Sequence, residues 1–182
     1  MHQSIASVGF LLMLFESIAV GAEDKEDPFR YEDKNFKLRI IAQAPEQMSG
    51  FYEGRGFSKQ ALEEIRKACF ITVLMTNNSN KMIWLDINRW RIVANDKPLE
   101  RYKRAYWKAK FKERNIPLAH QSTFGWTLLP EARDLYPNEP VGGNVTMVKT
   151  KASFTMEMRF QTGANKDGKE IVVKFDEVQC KQ

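Results

Sequence analysis

The sequence predicts a mainly β protein, an immunoglobulin-like antiparallel β-sandwich with two helical insertions at about 58–68 and 97–114. The clearest observation is a strict alternation of apolar and polar residues over 154–161, typical of a strand with one buried face. A turn at 165–168 and a second alternating run at 171–175 predict a hairpin. Further short apolar runs are separated by turn residues, without the strand–helix alternation of parallel sheets. We therefore expect about six to eight antiparallel strands.

Strand-like runs occur along the whole chain after residue 35. They lie at 36–41, 70–76, 82–93, 124–129, 141–149, 154–161 and 171–175. The run at 70–76 is apolar on both faces, which is typical of a central strand with both sides covered. Pro45 follows the first run and Pro130 follows the fourth, and we expect each proline to end its strand.

The first helical insertion follows a glycine-containing loop at 53–56. Ser58 stands where a helix N-cap is expected, and Phe57 and Leu62 have the spacing of a hydrophobic staple around such a cap. Ala61, Leu62 and Ile65 fall on one side at helical spacing. We predict a short amphipathic helix that ends near Lys67.

The second insertion is rich in cations and aromatic residues. Asp96 is placed to cap a helix, and Pro117 prevents its continuation. At about 100° per residue, one apolar stripe should pack on the sandwich; its members are Leu99, Tyr102, Ala105, Tyr106 and Ala109. The opposite side is then predicted to bind a partner, through Lys103, Arg104, Trp107, Lys108, Phe111 and Arg114. Alternatively, the segment 118–124 folds over Trp107 and Phe111 and makes them part of a core.

The N-terminal residues predict export. A short apolar run at 8–15 is followed by Val20-Gly21-Ala22, the pattern of a signal peptide cleaved after residue 22. Residues 23–35 are expected to form a charged flexible leader, and 36–182 a single domain in the periplasm or outside the cell. Because no Lys or Arg precedes the apolar run, an uncleaved helix or short anchor is the alternative. We expect no transmembrane segment in the mature chain.

Two cysteines, Cys69 and Cys180, remain in the predicted mature chain. An even pair in an oxidising compartment is typical of a disulfide. We therefore predict a Cys69–Cys180 bond that ties the C-terminal tail to an early strand. A buried thiol and a separate exposed thiol are the alternative.

The net charge is +5 at pH 7, which favours anionic partners. We expect a protein or an anionic envelope component, and we disfavour nucleic acid because no base-reading motif is present. In a secreted eukaryotic protein, two N-glycosylation patterns, Asn77-Asn78-Ser79 and Asn144-Val145-Thr146, would mark exposed loops.

The sequence carries no recognisable catalytic signature, and we predict an exported binding or accessory protein without enzymatic activity or cofactor. His120 is the single histidine of the predicted mature chain, and no spaced Cys or His motif for zinc is found. The alternative function is Cu(I) handling. Thioethers suit Cu(I), and the candidate ligands are Met156, Met158 and His120.

Overall fold

The computed structural model describes residues 28–182. The predicted signal peptide and residues 23–27 of the predicted leader lie outside the described residues. The strands are β1 (Arg30–Glu32), β2 (Phe36–Gln43), β3 (Ala68–Asn77), β4 (Ile83–Asp86), β5 (Arg91–Ala94), β6 (Lys97–Pro98), β7 (Ala132–Leu135), β8 (Pro140–Val148), β9 (Phe154–Thr162) and β10 (Ile171–Val178). The helices are α1 (Pro45–Glu53), α2 (Lys59–Arg66), α3 (Arg104–Glu113) and α4 (Leu118–Thr127), with a 3₁₀ turn at Ile87–Arg89.

Two antiparallel sheets form the body of the fold. The first sheet has the order β1-β2-β3-β8, so β3 is central, as its two-sided apolar sequence predicts. The second has the order β6-β5-β9-β4-β7, with β10 on the other edge of β9. A mainly β, antiparallel fold is therefore confirmed, whereas the two expected helical insertions are four helices. The immunoglobulin-like arrangement stays a prediction.

The main core lies between the two sheets. Alternate residues of β9, the apolar set found in the sequence, are buried there against alternate residues of β3. Phe36 of β2 meets Phe160 of β9 with ring centroids 4.9 Å apart, which is a direct contact between the sheets. Period-two burial on both sheets therefore produces the sandwich.

A second core lies on the outer face of the first sheet, under the four helices. Phe70 of β3 points to this side, whereas its neighbours Cys69 and Ile71 belong to the main core. Ala61, Leu62 and Ile65 of α2 are buried there, and Ser58 caps α2 by accepting a hydrogen bond from the Ala61 amide. The predicted helix is thus confirmed with its cap. The helices form a third layer that covers part of the sheet.

The predicted strand 82–93 is interrupted by the 3₁₀ turn. Its two halves, β4 and β5, both pair with β9, and the register passes from Trp84–Gln161 to Arg91–Glu157. The turn accommodates the extra residues between these pairs, as a bulge does. One predicted strand therefore becomes two shorter strands along the same edge of β9.

The N-terminal boundary of the domain lies earlier than predicted. Arg30–Glu32 forms β1 and pairs with residues 37–39 of β2, so residues 30–32 do not belong to a flexible leader. The C-terminal tail is tied to β3 by the predicted disulfide between Cys69 and Cys180, whose Cα atoms are 5.5 Å apart. Among residues 28–182, no helix has the length and hydropathy needed to cross a membrane.

Candidate functional site

The helix predicted over 97–114 begins at Arg104, seven residues later. Asn95 and Asp96 have φ of 49° and 60° and form the turn between β5 and β6, so Asp96 is not a helix cap. Consecutive positive φ angles are typical of a type I′ hairpin turn, which Asn and Asp tolerate. After β6 the chain runs beside β8, where the Tyr102 amide donates to the carbonyl of Thr146.

Helices α3 and α4 form an antiparallel hairpin whose inner side is aromatic. Trp107 and Phe111 are 3% and 1% exposed, and Phe124 of α4 lies against them at centroid distances of 4.6 and 4.9 Å. The stripe expected to face the sandwich is only partly confirmed: Ala105 and Ala109 are exposed, whereas its other three members are half-buried against the cores, namely Leu99, Tyr102 and Tyr106. The alternative interpretation, in which the following segment covers the two aromatic side chains, describes this packing. Trp107 and Phe111 are therefore core residues and not a free contact surface.

Arg114 and Arg104, two of the predicted contact residues, hold the helices in place. Arg114 lies 2.7 Å from Oε1 of Glu64, which also pairs with Lys67 at 2.9 Å. Burial opposes ionisation of Glu64, but these two cations hold its pKa below the usual range. At the other end of the hairpin, Arg104 donates to the carbonyls of Gly125 and Leu128, at the C-terminal end of α4. A cation there stabilises the helix end.

A cleft of about 320 Å³ lies between α3 and α4. It brings together four of the predicted contact residues: Arg104, Trp107, Lys108 and Phe111. The opposite wall comes from α4, with Leu118, Gln121, Ser122, Phe124 and Gly125. Lys103 lies at the N-cap of α3 and Arg114 at its other end, and neither lines the cleft.

The exposed side of α4 carries two large apolar side chains. Leu118 is 76% exposed and Trp126 is 88% exposed. With Ser122 they stand four residues apart, which places all three on one side of the helix. Sequence reasoning missed this side because residues 124–129 were assigned to a strand. The sequence gives little signal for this helix, because Phe124 is the one buried residue of α4 and Leu128 already lies in extended backbone after its end.

Three lysines of α3 and its N-cap remain available to a partner. Among residues 28–182, the ammonium groups of Lys103, Lys108 and Lys112 form no hydrogen bond or ion pair, and all three residues are exposed. Lys110, by contrast, pairs with Glu113 at 3.0 Å. We call the surface formed by Lys103, Lys108, Lys112, Leu118, Ser122 and Trp126 the hairpin face.

The candidate copper ligands do not meet. Met156 and Met158 are fully buried in the main core between the sheets. His120 instead lies in the helical layer, where its ring stacks on Phe57 at 4.6 Å. No group of three or more His, Cys, Asp or Glu residues that could hold a metal occurs within 28–182. The three candidate ligands therefore do not share a site that could bind Cu(I).

The two glycosylation patterns do not mark exposed loops. Asn77 is completely buried, and its Nδ2 donates to the carbonyls of Lys81 and Leu135 at 2.7 and 2.9 Å. Asn144 lies within β8, where its Oδ1 accepts a hydrogen bond from Thr72 at 2.7 Å. Both asparagines are therefore parts of the folded structure.

Comparisons with known proteins add little to this geometry. No family model matches the chain, and no curated protein is significantly similar to it. Among solved structures, ycdA of Bacillus subtilis, a candidate lipoprotein, is similar over 82% of this chain at 11% identity and a TM-score of 0.43. The Bacillus subtilis yjhA protein is similar over 71% at 10% identity and a TM-score of 0.40. The match spans 38% of the ycdA chain and 76% of the yjhA chain, and scores this low carry no functional information.

Proposed function

We propose that this chain is an extracytoplasmic, non-enzymatic binding protein that holds a protein or an anionic envelope component on the hairpin face. The observation that carries the proposal is the position of Lys108 and Leu118 on opposite walls of one cleft. Unpaired ammonium groups attract an anionic partner. Exposed apolar side chains gain free energy when a partner removes them from water.

Periplasmic or secreted localisation is part of the same proposal. The Cys69–Cys180 bond supports it, because disulfides persist in oxidising compartments. The signal peptide predicted over residues 1–22 indicates the same localisation. Intact mass of protein isolated from its native host tests both features, since cleavage after residue 22 and the disulfide each change the mass.

The binding role is tested by reversing the charge of the hairpin face. The double variant Lys103→Glu/Lys108→Glu leaves the core aromatic residues unchanged. It also leaves Arg104 unchanged, because that guanidinium holds the end of α4. The partner is recovered on immobilised protein from an envelope extract of the native host. We expect about a tenfold or greater loss of capture, because two attractive charges become repulsive.

A matched control separates the face from net charge. Lys34 and Lys169 are exposed lysines that line a different cleft, at the end of the sheets. The variant Lys34→Glu/Lys169→Glu has the same change in net charge and should capture the partner like the wild type. Equal capture by the wild type and both double variants would contradict the proposal.

A further inference from the structure

We infer that the partner of the hairpin face is an anionic membrane surface, on which the protein docks by inserting Trp126 and Leu118. This inference rests on the proposed function and names its partner more narrowly. It goes beyond the sequence prediction, in which neither of these two side chains was a contact residue.

The exposed side of α4 is a short uncharged ridge with a large apolar side chain at each end. Leu118 and Trp126 are eight residues apart, or about 12 Å along the helix, and Ser122 lies between them. Residues 118–127 contain no Asp, Glu, Lys or Arg. The ridge can therefore enter the boundary between lipid headgroups and acyl chains without burying a charge.

Trp126 differs from the other tryptophans of the described chain. Trp90 and Trp107 are buried, and half-buried Trp84 donates its indole N–H to the Gly163 carbonyl at 2.7 Å. Trp126 is 88% exposed, and its indole nitrogen forms no hydrogen bond within residues 28–182. An indole with an apolar ring and a free N–H suits the membrane interface, where the ring meets lipid and the N–H meets headgroup oxygens.

The lysines of the neighbouring helix supply the electrostatic part. Lys108 lines the same cleft as Leu118, so the cationic side of α3 borders the ridge. Each lysine near an anionic bilayer strengthens binding by about fivefold. Two inserted side chains and three such lysines together give reversible attachment. A fluid bilayer accepts both protruding side chains without the matched pockets that a protein partner would need.

The test is sedimentation with vesicles of phosphatidylcholine and phosphatidylglycerol in equal amounts, and with phosphatidylcholine vesicles. We expect binding to the mixed vesicles and at least about tenfold weaker binding to the neutral ones. Trp126→Ser should weaken binding to the mixed vesicles by about tenfold or more. Lys103→Gln/Lys108→Gln/Lys112→Gln should weaken it by about a hundredfold. Brominated lipid should quench wild-type tryptophan fluorescence more than that of the Trp126→Ser variant.

Two controls keep the result specific. Leu74 is 43% exposed on the outer face of the first sheet, and Leu74→Ser should bind the mixed vesicles like the wild type. Lys34→Gln/Lys81→Gln/Lys169→Gln removes the same charge from another cleft and should have at most about a fifth of the effect of the α3 triple variant. Circular dichroism checks that every variant is folded.

Equal binding by wild type and Trp126→Ser, or equal binding to neutral and anionic vesicles, would overturn the inference. Absence of vesicle binding would also overturn it. Suppose that the protein does not bind vesicles but Lys103→Glu/Lys108→Glu still captures less partner from the envelope extract than the wild type. The partner is then a protein, and the proposed function stands without this inference. If both experiments show no effect of the hairpin face, the inference and the proposed function fail together.

Discussion

The indole nitrogen of Trp107 donates a hydrogen bond to Oγ1 of Thr146 across 2.7 Å, and this hydroxyl donates in turn to the carbonyl of Tyr102 at 2.9 Å. Thr146 thus joins α3 to the extended segment that precedes it and to β8. Because both partners of the indole contact are buried, Trp107 fixes the hairpin on the first sheet. This contact therefore helps to position the hairpin face, together with the contacts of Arg104 and Arg114.

Removing the hydroxyl should therefore destabilise the protein. Thr146→Val keeps the shape of the side chain but leaves the indole N–H of Trp107 buried without an acceptor. We expect the free energy of unfolding to fall by about 1–3 kcal/mol in urea denaturation. Thr146→Ser, which retains the hydroxyl, is the matched control and should lose less. Equal stability of the Val and Ser variants would show that the hydrogen bond is unimportant.

The disulfide should contribute strongly to stability. Cys69 and Cys180 are 111 residues apart in sequence, and closing so long a loop restricts the unfolded chain. Reduction should lower the free energy of unfolding by roughly 5 kcal/mol in the chain-entropy model. Urea denaturation with and without reductant measures the difference. The Cys69→Ala/Cys180→Ala variant should not respond to reductant, and an equal response of both proteins would contradict the prediction.

Acid should weaken the contact of α2 with α3. Lys67 and Arg114 hold the pKa of Glu64 below its usual 4.5 despite burial. A depressed folded-state pKa means that this stabilisation is complete above the unfolded-state pKa and is lost as pH falls through the folded-state pKa. Urea denaturation from about pH 6 to about pH 3 should show a smaller stability loss for Glu64→Gln than for the wild type. Identical pH profiles would exclude this role of Glu64.

The ion pair between Arg114 and Glu64 should contribute only modestly to the free energy of unfolding at neutral pH. Because the side chain of Arg114 is half exposed, Arg114→Gln should lower the free energy of unfolding by only about 1 kcal/mol. Lys112→Gln removes a charge from the same helix without breaking an ion pair and is the control. A loss for Lys112→Gln as large as that for Arg114→Gln would point to net charge instead of the pair.

Neither pattern should carry an N-glycan in the folded protein purified from a glycosylating host. The amide nitrogen of Asn77 is engaged by two backbone carbonyls, and Thr146 of the second pattern is 1% exposed. Intact mass should therefore equal that of the unmodified chain. A mass increase removed by an amidase specific for N-glycans would show that one site is reached before or despite folding.

The sequence predicted the strands whose apolar pattern agrees with their packing, such as a period of two where one face is buried. Residues 154–161 are the clearest case; residues 70–76 were predicted by a different signal, a run that is apolar on both faces, and both segments are central strands. The prediction was incomplete where one residue is compatible with two kinds of structure. Pro45 follows the end of β2 as predicted, but proline is equally compatible with the first turn of a helix, and α1, which was not predicted, begins there.

The hairpin face was only half predicted. The cationic side of α3 was identified, but the helix predicted over 97–114 begins only at Arg104, and its buried side was predicted only in part. Residues 124–129 have strand-forming side chains, but 124–127 belong to α4, where Phe124 packs in the second core, and Leu128 follows in extended backbone. Packing thus outweighed local preference, and this hid the exposed position of Trp126.

Site-specific photocrosslinking from position 122 in the native host tests the central claim most directly. Ser122 lies between Leu118 and Trp126, so a photoreactive side chain there reaches any partner seated on the hairpin face. Position 172 is the control, because Val172 is 45% exposed on β10 in the other sheet. We predict an adduct with an envelope component from position 122 and none from position 172. Absence of an adduct from 122, or the same adduct from both positions, would contradict the account.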